Sequence, residues 1–242
     1  MTALRSGLFY VWLVVATLVL GPVGLFTRLF APHRTLQVGI VWAGWLVAGL
    51  RVLCGMQVRL TGAEHLRPDE PMLIAMQHQS AFDTLVWMNL LPRVSYVFKS
   101  ELRRLPVIGP MLLATGQIPV ERGARGRALP KLLLEADRAV ANRRQIILFP
   151  QGTRTPPGVR VKLRSGIAAL ARHTGLPVVP VATDSGHLWR RQAFRKLPGT
   201  VHLHVCPAIP ADTPPDEMLA RIDAAWAAFE EPAQLVDKSV GD

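Results

Sequence analysis

The sequence has little cysteine, with only Cys54 and Cys206 among its 242 residues. That scarcity argues against the disulfide framework of a small secreted domain and agrees with a reducing compartment. The chain also lacks the Gly-x-Ser-x-Gly turn that presents a hydrolase serine. Metal-ligand side chains are sparse as well, and we interpret His202 and His204 as half-exposed strand residues rather than as metal ligands. The composition therefore predicts neither a disulfide scaffold, nor a serine hydrolase, nor a metal site.

Charge is missing from the start of the chain, where no residue between Ser6 and Thr27 is ionisable apart from the phenol of Tyr10. An uncharged run of about 20 residues is long enough to cross the hydrocarbon core of a bilayer. A second, shorter apolar run covers residues 36–50. We predict a hydrophobic helical hairpin over residues 1–55 that attaches the protein to a membrane, either by spanning it or by dipping into one leaflet. A cleaved signal peptide fits less well, because no Ala-x-Ala site follows the first run.

Acidic residues are also few, and the formal net charge is +11 at pH 7. A basic protein binds nucleic acid, an anionic membrane surface or phosphorylated substrates. No motif interleaves aromatic and basic residues in the manner of a nucleic-acid binder, and the membrane segment favours the other two partners. Arginine greatly outnumbers lysine, and its planar guanidinium forms paired hydrogen bonds with phosphate.

The remainder of the chain alternates short apolar runs with helical periodicity. The predicted strands cover residues 57–60, 71–76, 94–98, 116–122, 145–149, 177–182 and 200–205. The predicted helices cover residues 82–91, 111–114, 124–142, 166–173 and 214–229. This order predicts an α/β fold, a single domain over residues 56–232 with a mixed, largely parallel central sheet flanked by helices. Residues 233–242 are expected to form a flexible tail.

Polar side chains follow several of the predicted buried strands. They are His78, Lys99, residues 152–154 and residues 184–185. In open α/β sheets the ligand binds at the carboxyl ends of the strands. His78 can exchange a proton at neutral pH, and Asp83, five residues later, can orient its imidazole. The alternative is that Asp83 or Ser80 only caps a helix.

With no enzymatic nucleophile in view, a histidine base would activate a hydroxyl that the substrate brings. The stretch 149–154 supplies a glycine whose backbone admits an anion and an arginine that can grip its oxygens. Arg122, at the end of another predicted strand, could form further hydrogen bonds with the same anion. Together with the membrane segment, these residues indicate transfer to the hydroxyl of a phosphate-bearing lipid.

These stretches resemble the four motifs of the 1-acylglycerol-3-phosphate acyltransferases, within the glycerolipid acyltransferase superfamily. The first motif, a histidine and an aspartate separated by four residues, is matched at 78–83. The second, Gly-x-Ile-x-x-x-Arg, is matched at 116–122, and the third, Phe-Pro-Glu-Gly-Thr-Arg, at 149–154. The fourth, an apolar Val-Pro strand, is matched at 179–181. Their shared order makes the combination specific.

The resemblance implies transfer of an acyl group from acyl-CoA or acyl carrier protein to the sn-2 hydroxyl of lysophosphatidate. It implies that His78 is the general base, that Asp83 orients it, and that neither a metal, a cofactor nor an acyl-enzyme takes part. The glycerol phosphate would be held by Arg122, Gly152, Thr153 and Arg154. Weaker candidates for substrate binding are Lys99, Gln151 and Lys162. The expected location is the bacterial inner membrane, with the catalytic domain facing the cytoplasm.

Two positions depart from the family's pattern. Gln77 replaces the usual asparagine before the histidine, and Gln151 replaces the usual glutamate of the third motif. The second change removes a negative charge beside the expected phosphate site, so the identity of the acceptor lipid is left undecided. Another lysolipid, such as a lyso-ornithine lipid or a lysophospholipid, is an alternative acceptor. A membrane protein that binds lipid without catalysis is a further alternative.

Overall fold

The computed structural model describes residues 1–105, 108–121 and 128–238. Its strands are β1 (Met56–Thr61), β2 (Met72–Met76), β3 (Val94–Lys99), β4 (Ile118–Val120), β5 (Gln145–Leu148), β6 (Val178–Thr183) and β7 (Gly199–Val205). Its helices are α1 (Thr2–Phe30), α2 (Thr35–Cys54), α3 (Asp83–Leu90), α4 (Ile108–Ala114), α5 (Ala128–Ala141), α6 (Gly166–Thr174), α7 (Ser185–Leu188) and α8 (Pro215–Lys238).

The strands form one seven-stranded sheet in the order β1-β7-β6-β2-β5-β3-β4. The strands from β6 to β4 in this order are parallel, whereas β7 pairs antiparallel with β6 and parallel with β1. The predicted α/β class with a mixed, largely parallel sheet is therefore confirmed. Because β2 lies between β5 and β6, the turns that follow these three strands meet at one edge of the sheet.

The central strands are apolar at nearly every position because helices cover both faces of the sheet. All residues of β2, β5 and β6 are buried. One face packs against α1, α2 and α3 through a core that includes Phe9, Leu50 and Trp87. The other face packs against α5, α6 and α8 through a core that includes Leu132, Leu170 and Trp226. Continuous apolar strands are the usual mark of a sheet buried on both sides.

The helices α1 and α2 form the predicted hairpin, and both are long and apolar enough to cross a membrane. Close helix packing is possible because the Trp12 indole lies against Gly49, where an added Cβ would collide with the ring. Trp12 Nε1 donates to the Trp45 carbonyl at 2.7 Å, and Trp42 Nε1 donates to Thr17 Oγ1 at 3.1 Å. Only 17% of the most apolar window of α1 is buried, so α1 is not the core helix of a soluble domain.

Several bounds differ from the sequence prediction, and the last helix differs most. It continues to Lys238, beyond residue 229, and its final turns occupy the start of the region predicted as a tail. The helix predicted over 124–142 is described from Ala128, and residues 122–127 lie outside the described part of the chain.

Candidate functional site

His78 and Asp83 form a hydrogen-bonded pair directly after β2. His78 leaves the strand at its carboxyl end, and Asp83 is the first residue of α3. His78 Nδ1 lies 3.0 Å from Asp83 Oδ2, and the same oxygen accepts the backbone N–H groups of Gln79 and Ser80 at 2.8 Å. The Asp83 carboxylate therefore folds back onto the turn that carries the histidine. The capping alternative does not describe it, because the residue at the helix cap is Phe82.

Asp83 is fully buried, and a serine that follows a different strand completes its hydrogen bonds. Ser185, at the carboxyl end of β6, donates its hydroxyl to Asp83 Oδ1 at 2.5 Å. Ser185 is also fully buried. The sequence placed Ser185 among the polar residues at strand ends but gave it no role. Only the strand order, which puts β6 beside β2, reveals the contact.

Gln151 connects the turn after β5 to the histidine. Its Oε1 accepts the backbone N–H of His78 at 2.6 Å, and its Nε2 donates to Thr155 Oγ1 at 2.6 Å. The Thr155 backbone N–H in turn donates to the His78 carbonyl at 2.9 Å. Both polar ends of this buried side chain are thus used within the protein. Gln151 supports the position of His78, although the sequence had suggested that it binds substrate.

Further contacts fix the turn 77–80 to its neighbours. Gln77 Oε1 accepts the backbone N–H of Thr183 at 3.2 Å, and Gln79 Oε1 accepts that of Gly186 at 3.1 Å. Both glutamines also point their Nε2 groups at Glu230 of α8, at 2.5 and 3.4 Å. The amide at position 77 therefore links β2, β6 and α8.

Aromatic rings cover one face of the imidazole. Phe149 stacks on His78 with ring centroids 4.1 Å apart, and Tyr96 lies parallel to Phe149 at 6.3 Å. Burial and the charge of Asp83 raise the pKa of the Tyr96 hydroxyl well above its ordinary value, so Tyr96 stays neutral. Within the described residues, no protein group hydrogen-bonds His78 Nε2, and the His78 side chain is 12% exposed. The free nitrogen is available to a substrate proton.

The loop after β5 carries the expected phosphate-binding residues. Gly152 has a φ of 72°, and an added Cβ would collide with the Arg164 side chain, so only glycine fits here. Thr153 is exposed, and Arg154 is partly buried. Burial lowers the pKa of the Arg154 guanidinium, the nearby Asp83 raises it, and Arg191 lowers it. Arg154 therefore lies within electrostatic reach of the pair.

The remaining predicted site residues lie farther out or outside the described chain. Lys99 is exposed at the end of β3 and pairs with Glu101 at 3.3 Å. Lys162 is exposed in the segment before α6. Arg122 belongs to residues 122–127, which are not described.

The histidines of β7 have hydrogen-bond partners of their own. His202 Nδ1 bonds Asp184 Oδ2 at 2.7 Å, and His204 Nδ1 bonds Thr61 Oγ1 at 2.9 Å. Across the described residues, no group of three or more histidine, cysteine or carboxylate side chains could hold a metal ion. The site itself presents a positioned imidazole beside a cationic loop, an arrangement suited to proton transfer.

Comparison with known proteins places these features in a family. The model of the acyltransferase family matches residues 57–184. A 1-acyl-sn-glycerol-3-phosphate acyltransferase of Pseudomonas aeruginosa is 30% identical over 231 residues, which cover 93% of this chain and 90% of that protein. The human 1-acyl-sn-glycerol-3-phosphate acyltransferase alpha is 28% identical over 177 residues, 72% of this chain and 62% of that protein.

A solved structure has the same fold. The crystal structure of the 1-acyl-sn-glycerophosphate acyltransferase PlsC from Thermotoga maritima superposes with a TM-score of 0.78. The match covers 97% of this chain and 98% of that one at 21% identity. The likeness therefore includes the N-terminal hairpin as well as the sheet.

Proposed function

This chain belongs to the acyltransferase family, as its four motifs predicted, and on that premise we propose the reaction that it catalyses. It transfers a fatty acyl group from an acyl thioester to the sn-2 hydroxyl of 1-acylglycerol 3-phosphate, which gives phosphatidic acid. Relatives whose names state this activity support the proposal. The observation that carries it is the His78 imidazole, oriented through Nδ1 by the buried Asp83 and free at Nε2.

In the proposed mechanism, the hydroxyl of the acceptor attacks the thioester carbonyl while His78 Nε2 takes its proton. The new C–O bond forms a tetrahedral intermediate, and the C–S bond then breaks. The leaving thiolate receives the proton from the imidazolium, so the products are phosphatidic acid and a free thiol. Asp83 stabilises the imidazolium between these steps, because its charge is fixed beside Nδ1. The reaction needs no metal, cofactor or acyl-enzyme.

The loop 152–154 provides the proposed site for the acceptor's phosphate. Gly152 lets the Arg164 side chain lie against the loop, and Arg154 is a cation within electrostatic reach of Asp83. Thr153 adds an exposed hydroxyl. Arg122 is proposed from the family motif alone. Lys99 and Lys162 remain candidates for contacts with anionic groups of either substrate.

Glutamine in place of glutamate at position 151 is compatible with the same acceptor. A glutamate at this position could accept hydrogen bonds from both the His78 backbone and the Thr155 hydroxyl, whereas Gln151 accepts one and donates the other. In both cases the side chain joins two turns rather than meeting the phosphate. The departure from the motif thus changes the direction of one hydrogen bond and leaves the phosphate loop itself unchanged.

We further propose that the hairpin lies in one leaflet and does not span the bilayer. The catalytic domain contacts α1 near both ends: Phe9 packs on Trp189, and Gly24 lies against Met111. These contacts are about 22 Å apart along the helix. A perpendicular helix would draw the domain into the hydrocarbon, whereas a helix lying in the interface keeps the domain in water. The other side of α1 exposes large apolar residues to lipid. The inner membrane and the cytoplasmic side remain expectations from the family.

An apolar cavity of about 130 Å³ lies between the hairpin and the helices α3 and α4. It is lined by Leu20, Val38, Trp42, Met88 and Met111, among others. Its walls come from both the membrane hairpin and the catalytic domain. A cavity of this size suits a short part of the acyl chain of a lipid that enters from the leaflet, because pockets that enclose whole ligands are larger.

An acceptor panel tests the proposed reaction. Purified protein is given one acyl-CoA and, in turn, lysophosphatidate, a lyso-ornithine lipid and lysophosphatidylcholine, and thiol release and lipid product are measured. We expect acylation of lysophosphatidate alone, and the Gln151→Glu variant should keep the same preference.

Other outcomes would contradict the proposal. Preferred acylation of another lysolipid would show that lysophosphatidate is not the acceptor. Thiol release without any acceptor would indicate a hydrolase, and binding without release would indicate a non-catalytic protein. Repeating the assay with acyl carrier protein identifies the donor.

A further inference from the structure

We propose that the loop 190–197, between α7 and β7, is a docking surface for the anionic headgroups of a lipid bilayer. The proposal rests on the membrane attachment of the hairpin proposed above, and it adds a second, electrostatic contact from the catalytic domain. The loop is held against α1, it exposes apolar side chains beside those of α1, and it carries three arginines. Each of these features is a separate observation.

A buried lysine holds the loop in place. Lys196 is fully buried, and its Nζ lies 3.5 Å from the ring centroid of Tyr10 and 4.7 Å from that of Trp189. Phe9 and Phe194 complete the aromatic surroundings. Nζ donates to the Phe194 carbonyl at 2.8 Å. A cation over several aromatic faces gains electrostatic attraction from each ring.

Backbone and stacking contacts add to this attachment. The Lys196 backbone N–H donates to Ser6 Oγ of α1 at 2.9 Å. Phe194 stacks on Tyr10 of α1 with centroids 5.2 Å apart. The position of the loop relative to the first turns of α1 is therefore fixed by contacts to Ser6, Phe9 and Tyr10.

The loop and the first turns of α1 both expose large apolar side chains. Phe194 is 52% exposed and Leu197 is 41% exposed. Phe194 lies beside Gly7 of α1, where an added Cβ would stand 3.9 Å from its ring. Leu4, Leu8 and Val11 are exposed elsewhere on the same turns of the helix, at the spacing of one helical face. Apolar side chains exposed on both elements favour a lipid surface over a soluble phosphate compound as the occupant.

The arginines give this surface its charge. Arg190, Arg191 and Arg195 are exposed, and within the described parts of the chain none of them pairs with a carboxylate. By contrast, Arg160 and Arg221 of the opposite side of the sheet pair with carboxylates of α8 at 2.9 and 2.6 Å. Arginines that border exposed apolar residues match the arrangement of a bilayer, in which anionic headgroups border hydrocarbon. We therefore assign the surface to an anionic bilayer.

A competition between two vesicle populations tests this assignment without acyl transfer. Full-length protein is diluted from neutral detergent into a mixture of phosphatidylcholine vesicles and vesicles that also contain phosphatidylglycerol, and flotation separates the two by density. The ratio of bound protein reports the preference for anionic lipid, because the hairpin inserts into both. The test variant is Arg190→Gln with Arg195→Gln. Arg191 is left intact because its charge reaches Arg154.

The matched control is Arg172→Gln with Arg221→Gln, the same charge change on α6 and α8. We expect the parent protein and the control to prefer anionic vesicles, and the test variant to lose roughly 25-fold of that preference, about fivefold for each arginine. High salt should remove the preference of the parent. Leu197→Ser should weaken binding to both populations.

Three results would overturn the assignment: no anionic preference in the parent, a parent-like preference in the test variant, or equal losses in test and control. The outcome is independent of the proposed reaction. A protein that fails the acceptor panel can still show the loop-specific loss, and an active acyltransferase can lack it.

Discussion

Two fully buried charges, Asp83 and Lys196, are held in opposite ways. Asp83 accepts four hydrogen bonds, from His78, from two backbone N–H groups and from Ser185. Lys196 donates one hydrogen bond and otherwise faces aromatic rings. These hydrogen bonds offset the cost of burying the Asp83 carboxylate. Burial instead lowers the pKa of Lys196 from 10.5 to about 8.

The difference distinguishes the candidate catalytic site from a structural contact between the loop 190–197 and α1. At the carboxyl edge of the sheet, the turns after β2, β5 and β6 each contribute hydrogen bonds. Several contacts therefore fix the position of His78 relative to Asp83. At the contact between the loop 190–197 and α1, Lys196 holds the loop in place but loses most of its contact with water. Buried charges of the second kind cost stability and specify an arrangement.

Among variants that keep His78, removal of the Asp83 charge should give the largest loss of transfer. Asp83→Asn leaves the side chain the same size but cannot stabilise the imidazolium, so kcat should fall by roughly 10²–10⁴-fold. Steady-state kinetics with lysophosphatidate measures the change. A variant within threefold of the parent would show that the pair is only a structural turn.

Loss of the Ser185 hydroxyl should have an intermediate effect. Ser185→Ala leaves Asp83 Oδ1 buried without its donor, and kcat should fall by roughly tenfold, as for a hydrogen bond to a charged group. The KM for lysophosphatidate should stay unchanged, because Ser185 contacts Asp83 and lies behind the histidine. Ser185→Thr should restore kcat.

Ser95 provides the matched control, since it is fully buried and its hydroxyl donates to the Gly116 carbonyl at 2.8 Å. It lies near the start of β3, at the opposite edge of the sheet. Ser95→Ala should lower stability without lowering kcat. Equal losses of kcat in both variants would mean that Ser185 acts only on stability.

The smallest effect on transfer is expected at Lys196, where stability should change instead. Because the folded protein releases this proton near pH 8 and the unfolded chain near 10.5, the free energy of unfolding contributed by Lys196 rises with pH across that interval. Lys196→Met removes the buried charge and should raise Tm at pH 7. The gain should shrink by about pH 10. Thermal unfolding in detergent measures both, and a lower Tm at both pH values would refute the account.

The sequence predicted the sheet class and the His78–Asp83 pair because both depend on local patterns. Apolar runs mark buried strands, and the spacing of the first motif lets the aspartate return to the histidine. The part played by Ser185 depends on β6 lying beside β2, although the two are far apart in the chain. Lys196 was missed for a similar reason: its rings come from α1 and from the segment 189–194. The helix α8 continues past residue 229, where the sequence predicted its end.

The proposed role of His78 as the base for transfer to a lipid hydroxyl can be tested with a single substitution. The rate of phosphatidic acid formation is compared between the parent and His78→Ala, both extracted from membranes in equal amounts. We expect a loss of roughly a hundredfold or more with unchanged membrane attachment, because the hairpin contacts do not involve His78. Full activity in the membrane-bound variant would mean that His78 is not the base.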